Sequence, residues 1–421
     1  MRRPLVILTI AAVITASCGS SPGPELEAVP AEPQAADAQQ PDTSTDASDP
    51  APSPTSVPAP AVDDTDPAPT PTPTPAAETV LSAGDGRDVD EIRAARRCIR
   101  RMPLRLRLGQ LLVPLVTPGD LSVAARLGAR GRIGGVVLLG APTRDQVAQL
   151  DLADDAGLAL MVGSDEEGGR VQRLAGTLGP LPSAAAQATR PVREVRRLFR
   201  DYGRALADYG VDVAFAPVVD VGGGPGIGDR AFSDDPAVVT RYARAVVAGY
   251  RQGGIVGVIK HFPGHGRASA DTHFGFATTP PIEELQRTDL VPYRALLDEV
   301  DVVMIGHLLV PGLTERRPTS LSRRAITGLL RREMGFDGVV ITDALGMGAV
   351  AQRWTNPEAA RLALQAGADL AMIDSVGQTR ATLDHLAAAV RSGDLSRRRV
   401  ITAVVRSLEL RGIDPCTLSS S

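Results

Sequence analysis

Eight short apolar runs punctuate residues 110–374: QLLVPLV (110–116), GGVVLLG (134–140), LALMVG (158–163), VDVAFAPVV (211–219), IVGVIK (255–260), DVVMIG (301–306), GVVITD (338–343) and DLAMID (369–374). Each is followed by a longer helix-compatible stretch, of which VREVRRLFRDYGRALADYG and PAVVTRYARAVVAGYRQGG are the clearest. Strand alternating with helix eight times over this length predicts a single (β/α)8 barrel spanning residues 90–416. A doubly wound open sheet fits the alternation too, but usually with fewer strands. In a barrel the chemistry sits just past the strand ends. Asp165 and Glu166 follow the third run, Asp220 the fourth, Lys260 and His261 close the fifth, and His307, Asp343 and Asp374 follow the last three. Short polar residues also cap helices, and Asp374, before Ser375, reads as such a cap. Asp343 precedes Ala344, Leu345 and Gly346, where no helix starts at once, so it reads as functional.

Upstream the pattern changes. Arg2 and Arg3 precede LVILTIAAVITA, an apolar run short for a membrane span, and Ala16, Ser17, Cys18 and Gly19 follow. This arrangement resembles a bacterial lipoprotein signal. Residues 1–18 then form the signal peptide, Cys18 is lipidated, and the protein is exported and lipid-anchored at the outer face of the cell membrane or wall. The other reading is an ordinary cleaved signal peptide with Cys18 discarded. Residues 19–85 read as a disordered Pro/Thr/Ala-rich linker: 15 of the 34 prolines fall between residues 19 and 80, with no aromatic residue to offset the cost of ordering the chain. Export makes a disulfide between Cys98 and Cys416 the natural expectation. The net charge of −4 and the lack of a basic run argue against a nucleic-acid partner. The arginines from Arg96 to Arg107 read as a solvated helix face.

The densest chemistry lies in KHFPGHGRASADTH (260–273). It holds three of the five histidines and Lys260, the only lysine among 45 basic residues. Pro263, Gly264 and Gly266 forbid a regular helix, so His261 and His265 are not a helical metal pair. A zinc site from His261, His265 and His273 is geometrically conceivable, but no metal or cofactor is expected. Asp271 and His273 are two apart, and in an extended loop they would face the same way. The carboxylate could then fix the imidazole tautomer and make His273 a general acid/base. GGGPGIGD (222–229) lacks the residues of a phosphate loop and reads as a mobile loop over the site.

SDEEGGRVQRL (164–174), KHFPGHG followed by DTH (260–273), and ITDALGMGAV (341–350) together resemble family 3 glycoside hydrolases, within them the bacterial β-N-acetylglucosaminidase branch. The resemblance covers most of residues 95–375. It implies Asp343 as nucleophile and His273, paired with Asp271, as acid/base. It also implies that Asp165, Arg173, Arg230, Lys260 and His261 bind the non-reducing sugar. The implied substrate is a GlcNAc-containing muropeptide or disaccharide, with inorganic phosphate conceivable as an acceptor in place of water. A β-glucosidase of the same family and a non-catalytic glycan-binding lipoprotein are the competing readings.

Overall fold

The computed structural model describes residues 89–418. The signal peptide, Cys18 and the linker assigned above lie outside the described residues.

Eight parallel strands form in chain order: β1 (Leu112–Val116), β2 (Gly135–Leu138), β3 (Met161–Ser164), β4 (Val213–Ala214), β5 (Val256–Phe262), β6 (Val302–Ile305), β7 (Val339–Thr342) and β8 (Ala371–Ile373). From β1 to β7 each pairs with the next in sequence, and β1 pairs with β8. A bridge between Ile341 and Leu370 joins β7 to β8 and closes the ring. The expected barrel is therefore present, and the open doubly wound sheet is excluded.

The strands are buried on both faces, so they read as continuous apolar runs. Their alternation is still resolved in the packing. Val113, Val137, Met161, Val258, Met304 and Ile341 point inward and fill the barrel. Leu112, Val136, Val162, Ile259, Val303 and Val340 point outward and pack under the helices. Strand β4 is shorter than its apolar run, because Pro217 has no N–H to give the ladder. The chain rejoins the sheet at Val218, which bridges to Lys260.

An ionic and a covalent tie hold the ring away from the rim formed by the strand ends. At the start of β8, buried Asp369 receives Arg331 and Arg399, each at 2.5 Å. A disulfide joins Cys98, on helix Val89–Arg101, to Cys416, 318 positions further along the sequence. Asp374 does not cap the helix that follows it. It exchanges two hydrogen bonds with Asn356, at 2.6 and 3.1 Å, and so ties the end of β8 to the start of helix Asn356–Ala366. The Asn356 side chain offers both a donor and an acceptor there, which the next turn does not.

Candidate active site

The ends of β3, β4 and β5 bring five expected residues into one chain of charge. After β3 the sequence turns back in a short antiparallel hairpin, Glu166–Gly168 against Val171–Gln172. The hairpin places Asp165, Glu167 and Arg173 side by side. Asp165 accepts from Arg173 at 3.1 Å and from Lys260 at 2.8 Å. Lys260 also meets Glu167 at 2.6 Å, and Glu167 grips Arg230 through two bonds of 2.8 Å. Arg230 approaches Nε2 of His261 at 3.3 Å, and His261 Nδ1 lies 2.7 Å from Asp220.

The protonation states follow from these contacts. Burial works against charge on Asp165, but Lys260 and Arg173 outweigh it and hold the carboxyl below its usual range. Burial likewise opposes the Lys260 charge, while Asp165 and Glu167 raise its pKa above the ordinary value. His261 is pushed well below its ordinary value, by burial and then by the Arg230 and Lys260 charges. It is therefore neutral, donates Nδ1–H to Asp220 and leaves Nε2 as an acceptor. Burial raises Asp220 to about 6.

Asp343 stands just past β7. Its Oδ1 accepts the N–H of Ala344 at 2.8 Å. Burial again opposes ionisation, but that N–H and the Lys260 ammonium hold the carboxyl below its ordinary value. His307, lowered by burial, is neutral. Its Nε2 lies 2.8 Å from the Ala344 carbonyl, which can only accept, so Nε2 carries the proton and Nδ1 accepts from Ser320 at 2.7 Å.

Asp271 and His273 meet as expected, but in a turn rather than an extended loop. The Phe274 N–H bonds back to the Asp271 carbonyl at 3.2 Å. One carboxylate oxygen of Asp271 accepts both the His273 N–H, at 2.9 Å, and His273 Nδ1, at 2.7 Å. This is the local side-chain turn that aspartate favours. The turn lies on the segment that follows Asp343. Gly348 N–H donates to the His273 carbonyl at 3.0 Å, Ala349 N–H to Thr272 at 3.1 Å, and Gln352 Nε2 to Phe274 at 3.0 Å. A Cβ on Gly348 would lie 2.6 Å from the Phe274 backbone, so only glycine permits the approach.

The glycine-rich stretch 222–229 is anchored rather than free over the site. Gly224 N–H bonds the Gly266 carbonyl at 2.7 Å, and Arg170 and Arg230 both donate to the Gly226 carbonyl. Gly226, at φ 81°, packs directly on the Asp271 carboxylate: a Cβ there would be 2.9 Å from Cγ. Glu167 and the bonds of Asp220 are the partners that sequence reasoning passed over. The signal was present: three successive acids, Asp165 to Glu167, follow a strand end, where three nearby cations need buried partners. Among the described residues no three His, Cys, Asp or Glu side chains are grouped to hold a metal ion. No described helix is long and apolar enough to cross a membrane.

A (β/α)8 barrel carrying a carboxylate at one strand end and a His–Asp pair docked beside it has the architecture of a glycoside hydrolase. Residues 104–410 match the glycosyl hydrolase family 3 N-terminal domain, and the chain belongs to that family. Within it the chain groups with bacterial β-hexosaminidases. It is 45% identical over 327 residues to beta-hexosaminidase LpqI of Mycobacterium tuberculosis, covering 74% of this chain and 83% of that one. A family 3 glycosyl hydrolase structure from Mycobacterium smegmatis is 42% identical with a TM-score of 0.70, covering 74% of this chain and 98% of the other. A family 3 β-N-acetylglucosaminidase from Paenibacillus is 32% identical with a TM-score of 0.69, covering 76% of this chain and 64% of that one.

Proposed function

We propose that this glycoside hydrolase is a retaining exo-β-N-acetylglucosaminidase that removes non-reducing terminal GlcNAc from cell-wall fragments. The observation that carries the reading is the Asp271–His273 turn, hydrogen-bonded onto the segment that begins at Asp343. A retaining glycosidase needs a nucleophile and an acid/base at one scissile bond. Asp343, held ionised at a strand end, attacks the anomeric carbon as the bond to the leaving oxygen breaks. His273 gives its Nε2 proton to that oxygen, while Asp271 on Nδ1 fixes the tautomer and stabilises the imidazolium. In the second step His273 takes a proton from water, the water oxygen bonds to the anomeric carbon, and Asp343 is released.

Asp165, Arg173, Arg230, Lys260 and His261 are assigned to the sugar bound at the closed end. Their cross-bonding fixes donors and acceptors in advance for its hydroxyls and acetamido group. After its first proton transfer His273 is neutral, where a second carboxylate would be anionic. Phosphate would meet less repulsion there, so phosphorolysis belongs to the same proposal. Lipidation of Cys18 would place this chemistry at the outer face of the cell membrane.

The test is release of nitrophenol from the 4-nitrophenyl β-glycosides of GlcNAc and glucose, with and without phosphate. A strong preference for GlcNAc supports the reading, and sugar 1-phosphate formation supports phosphorolysis. Preference for glucose overturns the substrate. Inactivity on both, from folded protein, favours a binding role.

A further inference from the structure

Phe274 follows His273 directly and stands in the open. Five of the seven phenylalanines are buried: Phe199, Phe215, Phe232, Phe262 and Phe336. Phe276 is partly covered, with the Arg353 guanidinium 4.9 Å from its ring centre. Phe274 is 82% exposed, against 39% and 46% for Val123 and Leu152, the other large exposed apolar side chains among the described residues. A single exposed apolar side chain is ordinary on a surface. This one differs because its backbone is fixed. Its N–H bonds Asp271, its carbonyl accepts from Gln352, and the carbonyls of Thr272 and His273 are also taken by the segment beneath. The turn therefore presents the Phe274 ring and the exposed His273 imidazole from one rigid unit, with the main-chain acceptors turned toward the barrel rim.

We propose that Phe274 forms the leaving-group subsite, and that its ring stacks on the C–H face of the pyranose being expelled. The inference rests on the acid/base reading of His273. An acid that protonates the glycosidic oxygen lies beside the departing sugar, not the retained one. A residue adjacent to it in the same fixed turn lies within reach of that group, and the exposed Phe274 ring is free to meet it. The negative face of an aromatic ring suits the C–H bonds of a pyranose, and few rotatable bonds make the contact inexpensive in entropy. The retained GlcNAc has its own polar set on β3 to β5. Phe274 would thus set a preference for a sugar aglycone without adding to the grip on GlcNAc.

The experiment compares two substrates that share the GlcNAc and differ in what leaves: a GlcNAc-β-1,4-GlcNAc disaccharide and the β-glycosyl fluoride of GlcNAc. Fluoride offers no ring to stack on and departs without a full proton transfer. Replacing Phe274→Ala should lower the ratio of kcat/KM for disaccharide over fluoride by roughly tenfold, the range expected for one aromatic contact. Phe274→Tyr should restore that ratio. An unchanged ratio refutes the subsite, whether activity on both substrates holds or falls together. The last case would mean that Phe274 only steadies the turn. Wild-type protein that cleaves neither substrate refutes the parent reading of the site. Wild type active on both with an unselective Phe274→Ala refutes the aglycone contact alone.

Discussion

Replacing Glu167→Gln tests the binding network at its most crowded point. The Glu167 side chain is 4% exposed and accepts from Lys260 at 2.6 Å and from Arg230 through two bonds of 2.8 Å. Lys260 keeps a second carboxylate, Asp165, but Arg230 loses the only one it touches directly among the described residues. Removing one partner of a buried ion pair costs about 3–5 kcal/mol, because the other charge stays buried. The retained Asp165 contact argues for the lower end, about 3 kcal/mol. Unfolding entropy of roughly 2 cal/mol/K per residue, over a domain of about 330 residues, converts this to a Tm fall of about 4 °C. Because Lys260 and Arg230 are assigned to the sugar, kcat/KM for a GlcNAc glycoside should fall on the order of 100-fold. Calorimetry and 4-nitrophenyl release read the two effects separately. The sign with pH is also fixed. The Glu167 pKa lies below the ordinary glutamate value of 4.5, so its contribution is full above that pH and fades as the pH drops through the folded value. Asp201→Asn, which removes an exposed carboxylate paired with Arg200, serves as the control. A Tm within about 1 °C of wild type and an unchanged kcat/KM would show that the network carries neither stability nor binding.

Further predictions concern groups around the same rim and the tie at the termini. Glu166 accepts from Ser164, Tyr202 and the Leu174 N–H, yet burial raises its pKa to about 7. The native state thus binds more protons than the unfolded chain between about 4.5 and 7, and stability falls as pH rises through that window. Glu166→Gln should flatten this part of the Tm–pH curve, and an unchanged slope would contradict the assignment. Gly226→Ala puts a methyl against the Asp271 carboxylate at a positive φ, so kcat should fall severalfold or more while far-UV circular dichroism stays native. Cys98→Ser, which opens the link to Cys416, should cost on the order of 2–5 kcal/mol of stability and leave kcat/KM at 25 °C unchanged. A Tm equal to wild type would argue that the helices hold the termini without the bond.

The alternation of apolar runs was sufficient for the barrel, because strands buried on both faces leave a continuous signal and the rim position of polar residues follows from topology. It misjudged β4, where Pro217 ends the ladder early. Asp165, Arg173, Arg230, Lys260 and His261 were legible as site candidates. Their order in one hydrogen-bonded network was not, because Glu167 and Asp220 join them only once three strand ends are side by side. The Asp271–His273 contact was read correctly through a wrong local geometry: the short aspartate side chain makes its own turn instead of relying on an extended strand. Composition marked the glycines of 222–229 as free, whereas Gly226 is there to let the chain approach Asp271. Asp374 was misassigned because its partner, Asn356, is 18 residues away.

The most direct test of the account is to trap the covalent intermediate. A 5-fluoro derivative of β-GlcNAc fluoride slows both steps, while its good leaving group lets the first proceed. The account predicts a protein mass increased by one fluorinated sugar, with the label on the peptide containing Asp343 and absent in Asp343→Asn. A label on another residue, or no adduct together with a product of inverted anomeric configuration, would contradict it.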